Sequence, residues 1–591
     1  MFQANAIFNQ PHTAPLQRVK AALWGIGRYV GRRVRQARHT LRDDWHGARY
    51  WSFGLILLLI TSLAVIAFYV NHPQVETDPD TASYLTVTQH ILSSGKLVDP
   101  VRTPGYPLFI ALVFLLAGQG NLAAVSIAQG MLFVAATLEI YGITCLMFRR
   151  AWMALTIGLL VGLNTYLIAF VKPVMSESFA MWVVASLALS VTLCIFTLRV
   201  RYLWLVAAFT LLAFMTHPEW IYAPVPIFAY LLFIAARRGT FRRLLPHAVA
   251  AVLVLYGCLG LFIYVNATQN GFPGITDVQG INLLGKVIEY NMQNEAPPQY
   301  AAVTQRLDAY LAAGGERSPY TFALYYPPIT ANYWALADSY ASSIVYHHPV
   351  EFFLHTIPVF INSSNPYYAF SNVNTQGPFA LPLIELQELS AQVYFLYRFF
   401  PLVALFWLGL LFWRPTRRGQ MIGALSLLGL YELALVAAGG YSDMPRLHSP
   451  FNPILLVCTW GSVLLLLPPL LSLLRKLPFN KRLARFWPGI KWAWGICIVG
   501  GLILSAAVTT LRYGTSALAR PETWIGIQWS LNHPARASAL LAVGGLICLL
   551  AYLGYQEQHA PAAPKGEQFK EDAQPQPGEA PERALEAERL P

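Results

Sequence analysis

Residues 51–70 read WSFGLILLLITSLAVIAFYV, and residues 77–107 read TDPDTASYLTVTQHILSSGKLVDPVRTPGYP. The first stretch carries no charge and is long enough to cross a hydrocarbon core of about 30 Å as a helix. The second places Asp78, Asp80, Lys96 and Arg102 directly after it and before another apolar run. Together they pose the question of what polar chemistry a lipid-soluble chain holds beside its first span.

The rest of the chain repeats the first pattern. Its 591 residues are 56% hydrophobic and only 12% charged, with a mean hydropathy of +0.46; soluble proteins carry roughly 25% charged residues. Further apolar runs near 121–147, 151–171, 177–197, 202–217, 219–236, 245–265, 390–413, 420–438, 451–474, 488–511 and 535–555 predict an all-α polytopic membrane protein with about twelve spans over residues 51–555. The net charge of +12 is not a nucleic-acid signature. It resides in short basic connections: Arg149 and Arg150, Arg199 and Arg201, Arg237 to Arg243, Arg414 to Arg418, and Lys476 to Arg485. Such loops mark the cytoplasmic side, so both termini are expected inside, as in a bacterial inner membrane, with long external loops at 71–120 and 266–388.

The ends are of another kind. Residues 1–50 are basic and amphipathic, too long and charged for a signal-peptide n-region, and read as a cytoplasmic segment on anionic lipid. Residues 556–591 are rich in Pro, Ala, Glu and Gln and read as a disordered cytoplasmic tail. Six cysteines (Cys145, Cys194, Cys258, Cys458, Cys497, Cys548) all fall inside apolar runs and read as small core hydrophobes, not as a disulfide framework.

Within the second stretch, Asp78-Pro79 is a helix start: the carboxylate accepts from first-turn N–H groups and proline suits the first position. Tyr84, Val87 and Ile91 then share an apolar stripe, with Thr86, Thr88, Gln89 and His90 opposite. A helix of about 15 residues with a polar face cannot span, so it is expected to lie along the outer surface. After Arg102-Thr-Pro-Gly-Tyr-Pro comes LFIALVFLLA, also too short to cross. If Asp78 caps the helix, Asp80 sits in its first turn with its carboxylate free, or simply complements the helix dipole.

The motif Asp80-Thr-Ala-Ser-Tyr84 followed by Arg102-Thr-Pro-Gly-Tyr-Pro-Leu-Phe-Ile-Ala111 resembles the lipid-phosphate-sugar-dependent glycosyltransferases of the C-type membrane fold, the group of protein O-mannosyltransferases and aminoarabinose lipid A transferases. Met175-Ser-Glu-Ser178 and Arg446-Leu-His-Ser-Pro-Phe-Asn-Pro453 are similar to that group's later motifs. The resemblance covers roughly residues 50–460. Many relatives carry adjacent Asp-Glu where this chain has Asp78 and Asp80 split by Pro79, so Asp78 stands as the alternative base.

The resemblance implies a polyprenyl-phosphate sugar donor, used on the external or periplasmic face without a nucleotide. Asp80 would be the general base, drawing a proton from an acceptor hydroxyl, and the reaction would invert the anomeric carbon. The acceptor could be a lipid, a glycan or a protein.

The chemistry asks for a carboxylate, cations for the departing phosphate, and a greasy groove. Arg102, Arg446, His448 and Lys96 are the candidate cations; a guanidinium offers phosphate two parallel hydrogen bonds. Tyr84 and Tyr106, the tyrosines of the two opening motifs, and Glu177 complete the candidate substrate-binding set. Glu177 reads equally as a first-turn acid complementing its helix dipole. No cofactor is firmly indicated; a divalent metal is a candidate, with His217 and Glu219 as weak ligands because their i, i+2 spacing across Pro218 is poor for coordination. Glu139 lies deep in a span, where a charge is costly and normally partnered. The segment 266–388, with NEAPPQY, LYYPPITANYW and FINSSNPYYAF, suits either an ordered lid with sugar-stacking surfaces or a plain cover. The rival reading, a secondary transporter or lipid flippase, would need midplane ionisable residues on several spans.

Overall fold

The computed structural model describes residues 47–325, 333–362, 373–413, 416–441 and 444–476. Most of the basic N-terminal segment, the two spans expected at 488–511 and 535–555, and the tail after 555 lie outside the described residues.

The chain begins with α1 (Gly47–Asn71), a span that contains the stretch 51–70. Two short helices follow, α2 (Pro79–Ser94) and α3 (Gly105–Ala117), then the long α4 (Leu122–Phe148). The third expected span is broken: α5 (Ala151–Gly162) and α6 (Thr165–Ile168), with its 3₁₀ continuation to Val171, meet at a 52° bend. The cause is Asn164, whose side chain accepts from the Leu167 N–H and starts a new helix instead of continuing the old one. Next come α7 (Glu177–Thr197), α8 (Val200–Phe214), α9 (Pro224–Arg237) with its 3₁₀ lead from Pro218, and α10 (Phe241–Asn270).

Five helices then build the segment expected as the larger external loop: α11 (Val278–Glu289), α12 (Ala301–Ala312), α13 (Pro319–Tyr325), α14 (Tyr333–His347) and α15 (Pro349–Asn362). They enclose a core of their own, in which Ile281, Leu284, Val287, Tyr340, Ile344 and Phe352 are buried. Helix α16 (Ala380–Val393) returns the chain to the membrane domain. The expected continuous span 390–413 is divided into the end of α16, a 3₁₀ turn over Tyr394–Phe399, and α17 (Phe400–Trp413). Pro401 has no N–H to bond back along the chain, so it can open α17 but not extend a helix through the turn. The described chain closes with α18 (Arg417–Gly439), α19 (Met444–His448) and α20 (Asn452–Lys476).

By length and composition six described helices can cross a membrane, seven with the broken pair; Val200–Phe214 and Phe400–Leu411 are shorter apolar helices where continuous spans are expected. The basic loops converge at one end. Arg418 Nε donates to the Met147 carbonyl at 2.9 Å, and Arg238 Nη1 donates to the Ile195 carbonyl at 2.6 Å. The candidate residues gather at the opposite end, where α1, α8 and α18 finish and α4 and α7 begin.

Candidate active site

Helix α2 starts as its sequence predicts. Asp78 is the N-cap, its Oδ1 accepting from the Asp80 N–H at 3.0 Å, and the Asp78 N–H donates to Thr81 Oγ1 at 2.9 Å. Thr81 in turn donates to the Val174 carbonyl at 3.0 Å, and the Val174 N–H donates to the Glu76 carbonyl at 3.2 Å. These bonds tie the start of α2 to the chain entering α7, which carries Glu177. Thr88, expected on the polar face, is buried instead: its hydroxyl donates to the Tyr84 carbonyl at 2.8 Å, and it packs toward α3.

The Arg102-Thr-Pro-Gly-Tyr-Pro segment is seated against the end of α8. The Gly105 N–H donates to the Met215 carbonyl at 2.6 Å, and a Cβ at position 105 would stand 2.5 Å from that same oxygen. Only glycine permits this approach. Thr103 adds a bond to the Thr216 carbonyl at 3.1 Å. The motif's glycine is therefore a packing residue that holds Arg102 in place.

Asp80 is not free. Arg102 Nη2 pairs with its Oδ1 and Arg446 Nη2 lies 3.1 Å from its Oδ2, so one carboxylate is held between two guanidinium groups. Arg446 also reaches Asp78 Oδ1 at 3.6 Å and Glu177 Oε1 at 3.3 Å. Arg102 lies over the Tyr84 ring, 4.6 Å from its centroid, and donates through Nε to Ser83 Oγ at 2.8 Å. Its pKa is raised: burial works against the charge, but the neighbouring Tyr84 and Asp80 outweigh it. Glu177 is buried, and its second carboxylate oxygen, Oε2, has no hydrogen-bond partner.

Further polar groups lie alongside. The Tyr84 hydroxyl is 3.1 Å from Ser176 Oγ, which is 3.3 Å from His217 Nε2. His217 Nδ1 meets Glu219 Oε1 at 2.9 Å. Burial disfavours the charged ring, but the Glu219 carboxylate outweighs it and holds the His217 pKa above its usual value. The two ring nitrogens of His217 thus face Ser176 and Glu219. Among the described residues, the group whose ligand atoms lie close enough for a metal is Glu295, His348 and Glu351, in the segment between α10 and α16.

Three candidates stand differently from their sequence reading. Lys96 Nζ donates to Asn270 Oδ1 at 2.6 Å and fastens α2 to the end of α10, outside the acid–arginine group. Tyr106 is fully buried, with its hydroxyl bonded to Gln129 Oε1 and its ring edge-on to Tyr84 at 4.9 Å; it supports Tyr84 from below. His448 is buried too, and its Nδ1 lies 3.1 Å from Glu432 Oε1. Glu139 is partnered by the Ser186 hydroxyl, at 2.9 Å from each carboxylate oxygen.

Sequence reasoning missed Ser83, Ser176, Gln129 and Glu432. Glu432 had a visible signal: like Glu139, it is a lone acid inside an apolar span. Ser176 sits within the quoted Met-Ser-Glu-Ser motif. Ser83 and Gln129 offered no signal beyond their residue type.

No protein-family model matches the chain, and no curated protein matches it either. Among solved structures it is similar to the oligosaccharyltransferase of Archaeoglobus fulgidus in its apo form, at 12% identity and a TM-score of 0.42, covering 86% of this chain and 56% of that one. A structure of the archaeal oligosaccharyltransferase AglB from the same organism, in complex with an inhibitory peptide and a dolichol-phosphate, aligns at 11% identity and a TM-score of 0.39, over 85% and 55% of the two chains. The chain spans just over half the length of these proteins, and at that overlap no function transfers from them.

Proposed function

We propose that this chain is a membrane glycosyltransferase that moves a sugar from a polyprenyl-phosphate donor to a hydroxyl acceptor, with Asp80 as general base and inversion at the anomeric carbon. The supporting observation is the Asp80 carboxylate held between Arg102 and Arg446. The acceptor O–H gives its proton to Asp80, its oxygen bonds to the anomeric carbon, and the bond from that carbon to the phosphate oxygen breaks with its electrons leaving on the phosphate. Negative charge thus disappears from Asp80 as it appears on the phosphate, and the same two guanidiniums face both. Little net charge has to be moved or newly solvated, which is how fixed cations lower such a barrier.

Asp78 is the weaker choice for base, since its carboxylate is committed to capping α2. Glu177 suits the acceptor, whose hydroxyl would satisfy the unpartnered Oε2. In this proposal the reaction runs on the face away from the basic loops, external in a bacterial inner membrane. The transporter reading draws less support, because the acids and arginines gather at one end and Glu139 is partnered within its span.

The test is incubation of purified protein with radiolabelled polyprenyl-phosphate sugars and lipid, glycan or peptide acceptors. Label should reach an acceptor hydroxyl with the parent chain and not with Asp80→Asn. Full transfer by a folded Asp80→Asn, with loss in Asp78→Asn, would move the base to Asp78.

A further inference from the structure

Helix α15 presents three different faces. Phe352 and Thr356 are buried in the external core: the Phe352 ring packs edge-on to Tyr290 at 5.3 Å, and the Tyr290 hydroxyl donates to Thr356 Oγ1 at 3.2 Å. His348, just before the helix, forms with Glu351 and His355 a polar face to one side. The third face is apolar and uncovered. Val350, Phe353, Leu354 and Ile357 are 70%, 64%, 57% and 38% exposed, and their spacing of three, four and seven residues puts them on one stripe.

The height of this stripe is set by α18. The Tyr290 hydroxyl that holds Thr356 lies 3.5 Å from the Ala437 carbonyl, in the last turn of α18, and Ala438 packs into the same external core as Phe352. Helix α15 also packs directly against α18, one of the helices able to cross a membrane. An uncharged stripe of four large side chains is thus fixed beside the end of a span. Water would not favour such a patch.

We propose that α15 is an interfacial helix whose stripe lies in the acyl-chain boundary of the leaflet on the active-site side. The bilayer is its partner, and the external helices are anchored at the membrane surface instead of standing free above it. The His348, Glu351 and His355 face then turns toward headgroups and water, as an in-plane amphipathic helix requires. This inference is independent of the catalytic reading.

The experiment uses the full chain in vesicles of phosphatidylethanolamine and phosphatidylglycerol, with the photoreactive residue p-benzoylphenylalanine placed singly at Val350, Phe353, Leu354 or Glu351. After irradiation, mass spectrometry should find lipid adducts at the three apolar positions in about tenfold excess over Glu351. Three stripe positions guard against one poorly folded variant. Equal adduct yields at Glu351 and the stripe would overturn the proposal. So would crosslinks from the stripe into residues 477–591, or to a second copy of the chain, in place of lipid.

Discussion

Arginines sit at both ends of the helix bundle, and they do different work. At the basic end, Arg418 and Arg238 donate to the carbonyls of Met147, Phe148 and Ile195 near the C-termini of α4 and α7. These carbonyls lack helical partners and carry the negative end of the dipole, so a guanidinium there seals a helix. At the other end, Arg102 and Arg446 meet carboxylates: Asp80 from both sides, with Asp78 and Glu177 around Arg446. The lesson is that the partner, and not the basic residue, separates a topological charge from a chemical one.

That contrast can be broken by mutation. The largest expected effect is Asp80→Asn, which should lower transfer by about 10²- to 10⁴-fold with folding retained, as loss of a general base does; initial rates with labelled donor, beside a thermal unfolding curve, check it. Arg446→Lys comes next. A single ammonium cannot reach Asp78, Asp80 and Glu177 together, so transfer should fall on the order of 10²-fold. Parent-like rates in that variant would erase the distinction between the two ends.

A smaller effect belongs to His217. Glu219 raises the His217 pKa above its ordinary 6.5, so the folded state holds that proton more tightly than the unfolded chain. The resulting stability is complete below the ordinary value and is lost as pH rises through the raised one. His217→Gln should therefore unfold at a lower temperature than the parent at about pH 6, and the gap should narrow by about pH 9. Unfolding scans across that range would reveal a constant gap if the pair did not titrate. The smallest effect is expected of Arg418→Gln: a loss of no more than about 1 kcal/mol of stability, with transfer rates unchanged.

Much of the site was legible as local chemistry. Asp78 as cap follows from the Asp-Pro pair, and the capped geometry is what leaves Asp80 to meet arginines. The breaks in two expected spans were less legible, because hydropathy averages over Asn164 and Pro401, whose effects lie in the backbone. Lys96 and Tyr106 show the same limit for side chains. Each belongs to the opening stretch or its motif, yet Lys96 ends on Asn270 and Tyr106 beneath Tyr84.

By itself the sequence determined that this chain is a bundle of membrane helices with its basic loops on one side, because the length of an apolar run and the position of a charge act locally on lipid and water. Only the tertiary structure decided which ions meet. Asp80, Glu177 and Arg446 are separated by hundreds of residues from first to last, and an ion pair depends on a few ångströms in space. Helices α2, α7 and α19 supply that proximity by packing their ends together, and no spacing along the chain encodes it.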